Sequence, residues 1–145
     1  MLGLIQRVSS ASVSIEGSIA GQIYQGLLLF LAVQKNDTKA DAEKLLQKVL
    51  HYRIFSDTEG KMNLSLSDVG GGLLVISQFT LAADTKKGLR PSFSAAAKPE
   101  HAEILYNYFI ECAVENHPII QSGIFGANMQ VSLCNDGPVT FILNT

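Results

Sequence analysis

The sequence predicts an α+β fold in a single domain that spans residues 1–145. A chain of 145 residues has the usual length of one domain, and a composition that is 47% hydrophobic can supply a substantial core. Strand patterns occur in blocks around two helical segments and do not alternate strictly with helices. This order favours curved, mostly antiparallel sheets with the two main helices on one side.

The chain begins with strand patterns. Residues 2–8 alternate weakly between apolar and polar side chains, residues 11–15 alternate cleanly, and Glu16-Gly17 then offers a hairpin turn into the next strand. The continuous apolar run LLLFLAV, residues 27–33, predicts a strand that is buried on both faces. We therefore expect a hairpin followed by a central strand.

Two segments have helical spacing. Thr38 can cap the first helix within a capping box, and we expect this helix to end near Tyr52. Pro99 suits the first turn of the second helix, which His117-Pro118 would end. The apolar positions expected to face the core are Ala42, Leu45, Leu46, Val49 and Leu50 in the first helix and Ala102, Leu105, Tyr106, Phe109 and Ala113 in the second.

More strand patterns follow in the second half. The run LLVISQF, residues 73–79, predicts a second buried strand, and residues 129–133 and 139–143 predict the last two strands. The stretch CNDGPVT lies between those last two strands. Because the Asp-Gly and Gly-Pro pairs both favour turns, Gly137-Pro138 is predicted to form a hairpin turn.

Charge and hydropathy exclude several classes of protein. The formal charge of −2 and the pI near 5.9 are unlike those of a protein that binds long duplex DNA, so no DNA partner is expected. The longest apolar run is far shorter than the roughly 20 residues that cross a bilayer. Gln6 and Arg7 interrupt the N-terminal segment too early for a signal peptide. We expect a soluble, cytoplasmic protein with no membrane partner.

The cysteines and histidines do not suggest a metal site. Cys112 and Cys134 are far apart and form no C-x-x-C pair, so two free, buried thiols are expected. The three histidines each lie in or at the end of a predicted helix, with no second ligand at metal spacing. Neither a metal nor another cofactor is therefore expected.

The first candidate site is Ser77-Gln78-Phe79-Thr80, at the end of the second buried strand. Its polar groups would need partners if the strand stayed buried. Either Ser77 and Thr80 bond the backbone at the strand end, or the segment borders a pocket. In such a pocket, hydroxyl and backbone N–H groups could stabilise an oxyanion.

A dense basic cluster follows the candidate site. It could be a solvated loop, or it could hold the phosphates at the end of a polynucleotide. The sequence favours neither interpretation. Its members are Lys86, Lys87, Arg90 and Lys98.

Several motifs give the chain a resemblance to a known family. They are SQFTL at 77–81, RPSFSAA at 90–96 and NDGPVT at 135–140, supported by IQRV at 5–8 and FGA at 125–127. On these motifs the sequence resembles the D-aminoacyl-tRNA deacylases along essentially its whole length. The combination of SQFT and NDGPVT at this separation is highly specific.

The resemblance implies a homodimer of small α+β subunits built on barrel-like, mostly antiparallel sheets. It implies hydrolysis of the ester that joins a D-amino acid, or glycine mischarged on tRNA-Ala, to tRNA, with no cofactor. The expected partner is then the 3′ end of an aminoacyl-tRNA. A non-catalytic nucleic-acid-binding module of the same fold and a general esterase with a hidden catalytic triad are the alternative functions.

The resemblance also implies how chirality is checked. Gly137-Pro138, joined by a cis peptide bond, would project two carbonyl oxygens into the partner subunit's pocket and block L-side chains. Arg7 would hold this loop by bonding backbone carbonyls, unless it is an ordinary surface arginine. Phe125 and Met129 would pack against the terminal base or guard the entrance, unless they simply pack in the core.

The candidate catalytic residues are Ser77, Gln78, Phe79 and Thr80. Ser77 and Gln78 would shape the pocket and orient the terminal adenosine. Thr80 could act as a nucleophile or position water. Alternatively, the 2′-hydroxyl of the terminal adenosine assists while backbone N–H groups near Phe79 and Thr80 stabilise the oxyanion. The second mechanism is favoured because a lone threonine without a base is a poor nucleophile.

The chain departs from the family pattern at two places. Relatives usually carry a basic residue where Leu2 and Gly3 stand, and often a polar or basic residue in place of Leu89. Both changes remove positive charge from a surface that could face tRNA. The departures bear on the strength of tRNA binding and leave the chemistry unchanged.

Overall fold

The computed structural model describes residues 1–86 and 88–145. Within these residues the chain forms eight strands, three α-helices and one 3₁₀ turn at Phe79–Ala82. The strands are β1 (Leu2–Ile15), β2 (Ser18–Ile23), β3 (Gly26–Ala32), β4 (Phe55–Ser56), β5 (Met62–Leu64), β6 (Gly72–Ser77), β7 (Ile120–Ser122) and β8 (Gln130–Asn144). The helices are α1 (Lys39–His51), α2 (Leu66–Val69) and α3 (Pro99–Asn116).

One curved, six-stranded sheet organises the fold. Its long strand β1 pairs antiparallel with β2 and β3 and with β8, while β6 lies parallel to both β3 and β7. The sheet is therefore mixed and closes nearly into a barrel. The predicted α+β fold with barrel-like sheets is confirmed.

The central strands β3 and β6 are apolar on both faces because each face covers a different core. Leu27, Leu29 and Leu31 pack with the helices, whereas Leu28 packs inside the barrel. β6 alternates in the same way, with Leu73 and Val75 toward the helices and Leu74 and Ile76 toward the barrel interior. Successive side chains of these strands thus point into two different apolar layers, rather than alternately into the core and into solvent.

Both main helices lie where their spacing predicts. A capping box between Thr38 and Asp41 begins α1, and Pro99 occupies the first turn of α3. All ten predicted core positions of the two helices are buried. The short helix α2 and the 3₁₀ turn after β6 were not predicted, because four residues are too few to establish a helical period.

The hairpin predicted at Gly137-Pro138 is wrong. Residues 130–135 and 140–144 both pair with β1 in the same antiparallel direction, so the chain does not reverse between them. The register passes from Gln6↔Thr140 to Val8↔Asn135, which leaves four residues of β8 opposite Arg7 alone. Gly137-Pro138 thus lies in a bulge within one continuous strand. The two predicted N-terminal strands likewise form a single strand, β1.

The prediction of buried thiols is also wrong. Cys112 and Cys134 are free, but Cys112 is only half-buried and Cys134 is exposed. Cys134 lies on β8, whose outward face is not covered by another element of the described chain. Within the same residues, no helix is long and apolar enough to cross a membrane.

Candidate active site

A cleft of about 470 Å³ opens at the carboxyl end of β6. It brings together five of the residues proposed from the sequence, namely Ser77, Gln78, Phe79, Phe125 and Met129. The pocket expected at this strand end is therefore present. The other lining residues are Ile76, Ala97, Pro99, Ala102, Gly126, Ala127 and Val131.

The end of β6 leaves two backbone N–H groups available. The Gln78 N–H still donates to the Leu31 carbonyl at 2.8 Å, which continues the pairing with β3. The chain then turns into the 3₁₀ segment, where the Leu81 N–H donates to the Gln78 carbonyl at 3.2 Å. The Phe79 and Thr80 N–H groups begin this turn and have no hydrogen-bond acceptor within residues 1–86 and 88–145.

Thr80 stands apart from the cleft lining. Its side chain is exposed, and its hydroxyl accepts a hydrogen bond from the Gln78 side-chain amide. Among the described residues, the lining contains no Asp, Glu, His, Lys or Arg side chain. The same part of the chain has no cluster of three or more His, Cys, Asp or Glu side chains placed to hold a metal. The cleft therefore offers hydrogen-bonding groups but no side-chain base.

A buried tyrosine supports the wall that carries Phe125. The Tyr106 hydroxyl donates to the Val75 carbonyl at 3.0 Å and contacts the Gly123 carbonyl at 3.2 Å, which ties α3 to β6 and to the segment after β7. Its ring lies 5.8 Å from the Phe125 ring, between centroids. Burial raises the pKa of Tyr106 to about 12, so the hydroxyl stays protonated and keeps donating.

Met129 reaches the cleft because residue 123 is glycine. A Cβ at Gly123 would overlap the Met129 sulfur. Phe125 and Met129 are both half-buried, so they line the cleft and also pack against the apolar clusters beneath it. The two interpretations offered by the sequence, pocket wall and core packing, describe the same side chains.

The bulge in β8 is held from β1 by Arg7. The Gly137-Pro138 peptide bond is cis, and Gly137 has φ 134°, a conformation that favours glycine. Arg7 Nε donates to the Asp136 carbonyl at 3.1 Å, while its Nη1 donates to the Ile54 carbonyl at 2.7 Å. The Asp136 carboxylate also lies 3.3 Å from Nε. Arg7 thus links the bulge in β8 to the backbone just before β4.

Asn135 closes the bulge from within β8. Its side-chain oxygen accepts from the Val139 N–H at 3.0 Å, and its amide nitrogen donates to the Thr140 hydroxyl at 2.9 Å. Gln6 on β1 also donates to that hydroxyl, at 3.2 Å. These contacts fix both ends of the loop that carries Gly137-Pro138. Asn135 and Thr140 belong to a motif noted in the sequence, but their role in fixing the loop was not predicted.

The bulge and the cleft of one chain lie far apart. Ser77 pairs with Leu31 on β3, whereas Arg7, opposite the bulge, pairs with Leu27. Four residues along a strand correspond to about 13 Å. Along β8 the distance is larger, since Val131 lines the cleft and Gly137 follows six residues later, about 20 Å on. Gly137, Pro138 and Arg7 are therefore not brought to the cleft of their own chain.

Comparison with known proteins identifies the family. The family model described as D-Tyr-tRNA(Tyr) deacylase matches residues 4–144. The chain belongs to this deacylase family. Membership makes the chain an enzyme of the hydrolase class, as its motifs predicted.

Relatives of the deacylase family match over whole chains. The D-aminoacyl-tRNA deacylase of Pseudomonas fluorescens strain Pf0-1 is 61% identical over 145 residues, which is 100% of both chains. That of Pseudoalteromonas atlantica is 60% identical over 144 residues, which is 99% of each chain.

Two solved structures share the fold. One named c-Myc DNA Unwinding Element Binding Protein has a TM-score of 0.96 and 38% identity, covering 100% of this chain and 99% of that one. Another, described as a probable eukaryotic D-amino acid tRNA deacylase, has a TM-score of 0.85 and covers 99% of this chain and 98% of its own. At 16% identity the second supports the fold alone.

One member of the basic cluster of this deacylase adjoins the cleft in the chain. Lys86, Arg90 and Lys98 are exposed, and Lys98 directly precedes the cleft residue Pro99. Lys87 lies outside the described residues. Leu89, where relatives often have a polar or basic residue, is fully exposed. The side chain at this position therefore faces solvent in the same segment as the cations.

The α3 side of the cleft was missed by sequence reasoning. Ala97, Pro99 and Ala102 line it, and the Ala97 N–H donates to the Val33 carbonyl at 3.0 Å, which fixes this segment against the end of β3. The small residues before α3 were the available signal. Small side chains at a helix start leave room for a ligand, but they also occur in ordinary loops.

Proposed function

We propose that the chain hydrolyses the ester bond between a D-amino acid and the 3′-terminal ribose of tRNA. The observation that carries the proposal is the cleft at the end of β6, lined by the SQFT segment in a chain of the deacylase family. The activity that names the bacterial relatives is consistent with it. The products are the free D-amino acid and reusable tRNA, formed in the cytoplasm.

The chemical step relies on the substrate and on backbone groups. Water adds to the ester carbonyl, the carbonyl oxygen becomes an oxyanion, and the bond to the 3′ oxygen breaks as that oxygen gains a proton. The Phe79 and Thr80 N–H groups are available to stabilise the oxyanion. Because the described cleft lining has no side-chain base, the 2′-hydroxyl of the terminal adenosine assists the proton transfers.

Selection against L-amino acids is assigned to Gly137-Pro138 of a second subunit. A site that accepts many D-side chains can reject L-side chains only by blocking the direction in which they would point. Backbone carbonyls fixed by Arg7 and Asn135 are suited to this because they cannot change rotamer. In one chain they lie about 13 Å or more from the cleft, so a partner must supply them.

The surface of β8 supports a homodimer. Within the described residues β8 pairs with β1 alone, which leaves its other edge without a strand partner. Apolar side chains stand exposed along it, Ile142 to 73% and Leu133 to 38%. A long, partly apolar edge strand favours association with another chain, and the bulge lies on this strand.

Glycine should also be released from tRNA. It has no side chain for the bulge to block, so exclusion of L-side chains cannot exclude glycyl-tRNA, including glycine mischarged on tRNA-Ala. Rejection of glycine would require a further contact that recognises a D-side chain.

The primary experiment incubates the protein with D- and L-aminoacyl-tRNA of the same amino acid. We expect rapid release from the D-ester only. Equal release from both esters would refute chiral selection, and release from neither would refute the deacylase function.

The mechanism is tested with two altered reactants under single turnover. A tRNA that ends in 2′-deoxyadenosine should be deacylated much more slowly, whereas Thr80→Ala should retain most of its rate. Normal cleavage of the deoxy substrate would exclude assistance by the 2′-hydroxyl. A Thr80→Ala chain without activity would restore the threonine mechanism.

Mixed dimers test whether selection crosses the subunit boundary. One chain carries Ala127→Trp, which fills its own cleft, and the other carries Arg7→Ala, which releases its own bulge. The open cleft of the mixed dimer then faces the intact bulge of its partner. We expect D-selective activity, whereas an unselective mixed dimer would place the bulge and the cleft in the same chain.

A second candidate function is suggested by one comparison. A solved structure with 38% identity is named as a DNA-element-binding protein. The formal charge of −2 argues against strong binding of duplex DNA by this chain. Tight, salt-sensitive binding of duplex DNA by a chain that lacks deacylase activity would favour the binding module.

A further inference from the structure

Two phenylalanines form an exposed aromatic pair at the rim of the cleft. The rings of Phe79 and Phe93 lie 5.1 Å apart between centroids, with 56° between their planes. Phe79 is 58% exposed and Phe93 40% exposed, although phenylalanine is usually buried in a folded chain. Phe79 also lines the cleft, so the pair continues the cleft wall onto the surface.

The backbone on either side of Phe93 is fixed. Asp84 and Ser92 exchange two backbone hydrogen bonds, at 2.7 Å and 3.0 Å, immediately before it. After it, the Lys35 N–H donates to the Ala95 carbonyl at 3.2 Å. The Phe93 ring is therefore presented from a segment anchored at both sides rather than from a free loop.

The charge of the same segment is one-sided. Residues 85–98 contain four basic residues and no acidic residue. Lys86 and Arg90 precede Phe93, Lys98 follows it, and all three are exposed. Aromatic faces interleaved with cations are the combination that binds single-stranded nucleic acid, because bases stack on the rings while cations attract the phosphates.

We propose that Phe79 and Phe93 form a stacking platform for the base of the nucleotide that precedes the 3′-terminal adenosine. The inference rests on the proposed function, which places the adenosine in the cleft. A strand whose last nucleotide occupies the cleft must leave across its rim, where the pair lies. The platform tolerates any base, because stacking on a ring does not depend on the pattern of hydrogen-bonding groups.

The experiment compares three D-aminoacyl esters that differ only beyond the terminal adenosine. The first is the ester of adenosine alone. The second adds one nucleotide on the 5′ side, and the third adds the same nucleotide without its base. For the unaltered chain, kcat/KM should be about tenfold higher for the dinucleotide with the base than for the abasic one. In Phe93→Leu this ratio should fall below about twofold, since one stacking ring is missing.

Two matched variants separate stacking from general effects on structure. Phe93→Tyr keeps the ring and should keep the base-dependent ratio. Tyr24→Leu removes a ring that is 78% exposed near the start of β3 and should also keep it. If Phe93→Leu does not fold, Phe93→Met, which also removes the ring, replaces it with the same expected fall in the ratio.

The outcomes distinguish this inference from the function on which it rests. Cleavage of the adenosine ester with equal kcat/KM for the two dinucleotides would overturn the platform and leave the deacylase function intact. A base-dependent ratio that Phe93→Leu preserves would also overturn it. If the chain cleaves none of the three esters and does not cleave D-aminoacyl-tRNA either, both the platform and the deacylase function are overturned.

Discussion

Arg7→Ala should lower both the stability of the chain and its discrimination between D- and L-esters. Arg7 stands opposite the four bulged residues of β8, where the ladder between β1 and β8 has no pairs. Its guanidinium spans the gap by donating to the carbonyls of Asp136 and Ile54. Without it, the loop that carries Gly137-Pro138 keeps only the contacts at its ends, from Asn135 and from Gln6 to Thr140.

The two contacts of Arg7 differ in expected strength. The bond to Ile54 is partly buried and comes from a charged donor, which is worth about 1.5–3 kcal/mol. The Asp136 side is exposed to solvent, so its ion pair adds roughly 0–1 kcal/mol. We therefore expect Arg7→Ala to reduce the free energy of unfolding by roughly 2–4 kcal/mol. The single ammonium of Arg7→Lys can hydrogen-bond only one of the two carbonyls, so this variant should lose about half of that free energy.

Selectivity is measured by single-turnover deacylation of paired D- and L-aminoacyl-tRNAs, and stability by urea unfolding. The L-to-D rate ratio should rise at least about tenfold in Arg7→Ala, which corresponds to about 1.4 kcal/mol lost from the rejection of L-esters. Arg53→Ala is the control. Arg53 also donates its Nε to a backbone carbonyl, that of Asn63 at 2.8 Å, but lies outside the bulge.

An L-to-D ratio in Arg7→Ala equal to that of Arg53→Ala and of the unaltered chain would refute this role of Arg7. Arg7 would then stabilise the fold without fixing the bulge. An unchanged free energy of unfolding in Arg7→Ala would equally contradict the strength assigned to the Ile54 bond.

Three further predictions follow from the geometry. Asn135→Ala should raise the L-to-D ratio, whereas Asn135→Asp should not. A carboxylate keeps the bond from the Val139 N–H, and the Thr140 hydroxyl, which now accepts from the Asn135 amide, can donate to it instead; single-turnover rates on both esters check this. Burial raises the pKa of Tyr106 to about 12, so between pH 10 and 12 this tyrosine ionises only in the unfolded chain. The free energy of unfolding of the unaltered chain should therefore fall relative to that of Tyr106→Phe as pH rises through this window; a constant difference between the two in urea titrations would contradict this. Hydrogen bonds from Ser65 hold the pKa of Asp68 below its ordinary 3.8. The loss of stability caused by Ser65→Ala should therefore be largest above pH 3.8 and become smaller as the pH falls below it; unfolding midpoints at pH 7 and pH 3 test this.

The elements that were predicted correctly depend on local patterns. Helices α1 and α3 were found because their buried residues recur at helical spacing and Thr38 and Pro99 mark their starts. Strands β3 and β6 were found because both of their faces are apolar. A cleft at the end of β6 was expected because polar groups end a buried strand, although Thr80 does not line it.

The wrong predictions concern contacts that local patterns do not contain. A Gly-Pro pair has the same turn chemistry in a hairpin and in a bulge, and only the pairing of both halves of β8 with β1 decides between them. Burial of Cys134 depends on what covers the outer face of β8, which is equally non-local. Phe93 was quoted within a motif, but its contact with Phe79 joins segments that are 14 residues apart in the sequence.

Where a site consists largely of backbone groups, its selectivity depends on residues that never contact the substrate. The proposed oxyanion donors are N–H groups at Phe79 and Thr80, and the proposed chiral barrier is a pair of carbonyl groups, so the ester contacts backbone atoms at both places. The positions of these groups depend instead on the pairing of Gln78 with Leu31 and on the bonds made by Arg7 and Asn135. Substitutions at such positioning residues should therefore alter the L-to-D ratio more than a change at Thr80 alters the rate. The opposite order would indicate that side chains, rather than backbone, carry the chemistry.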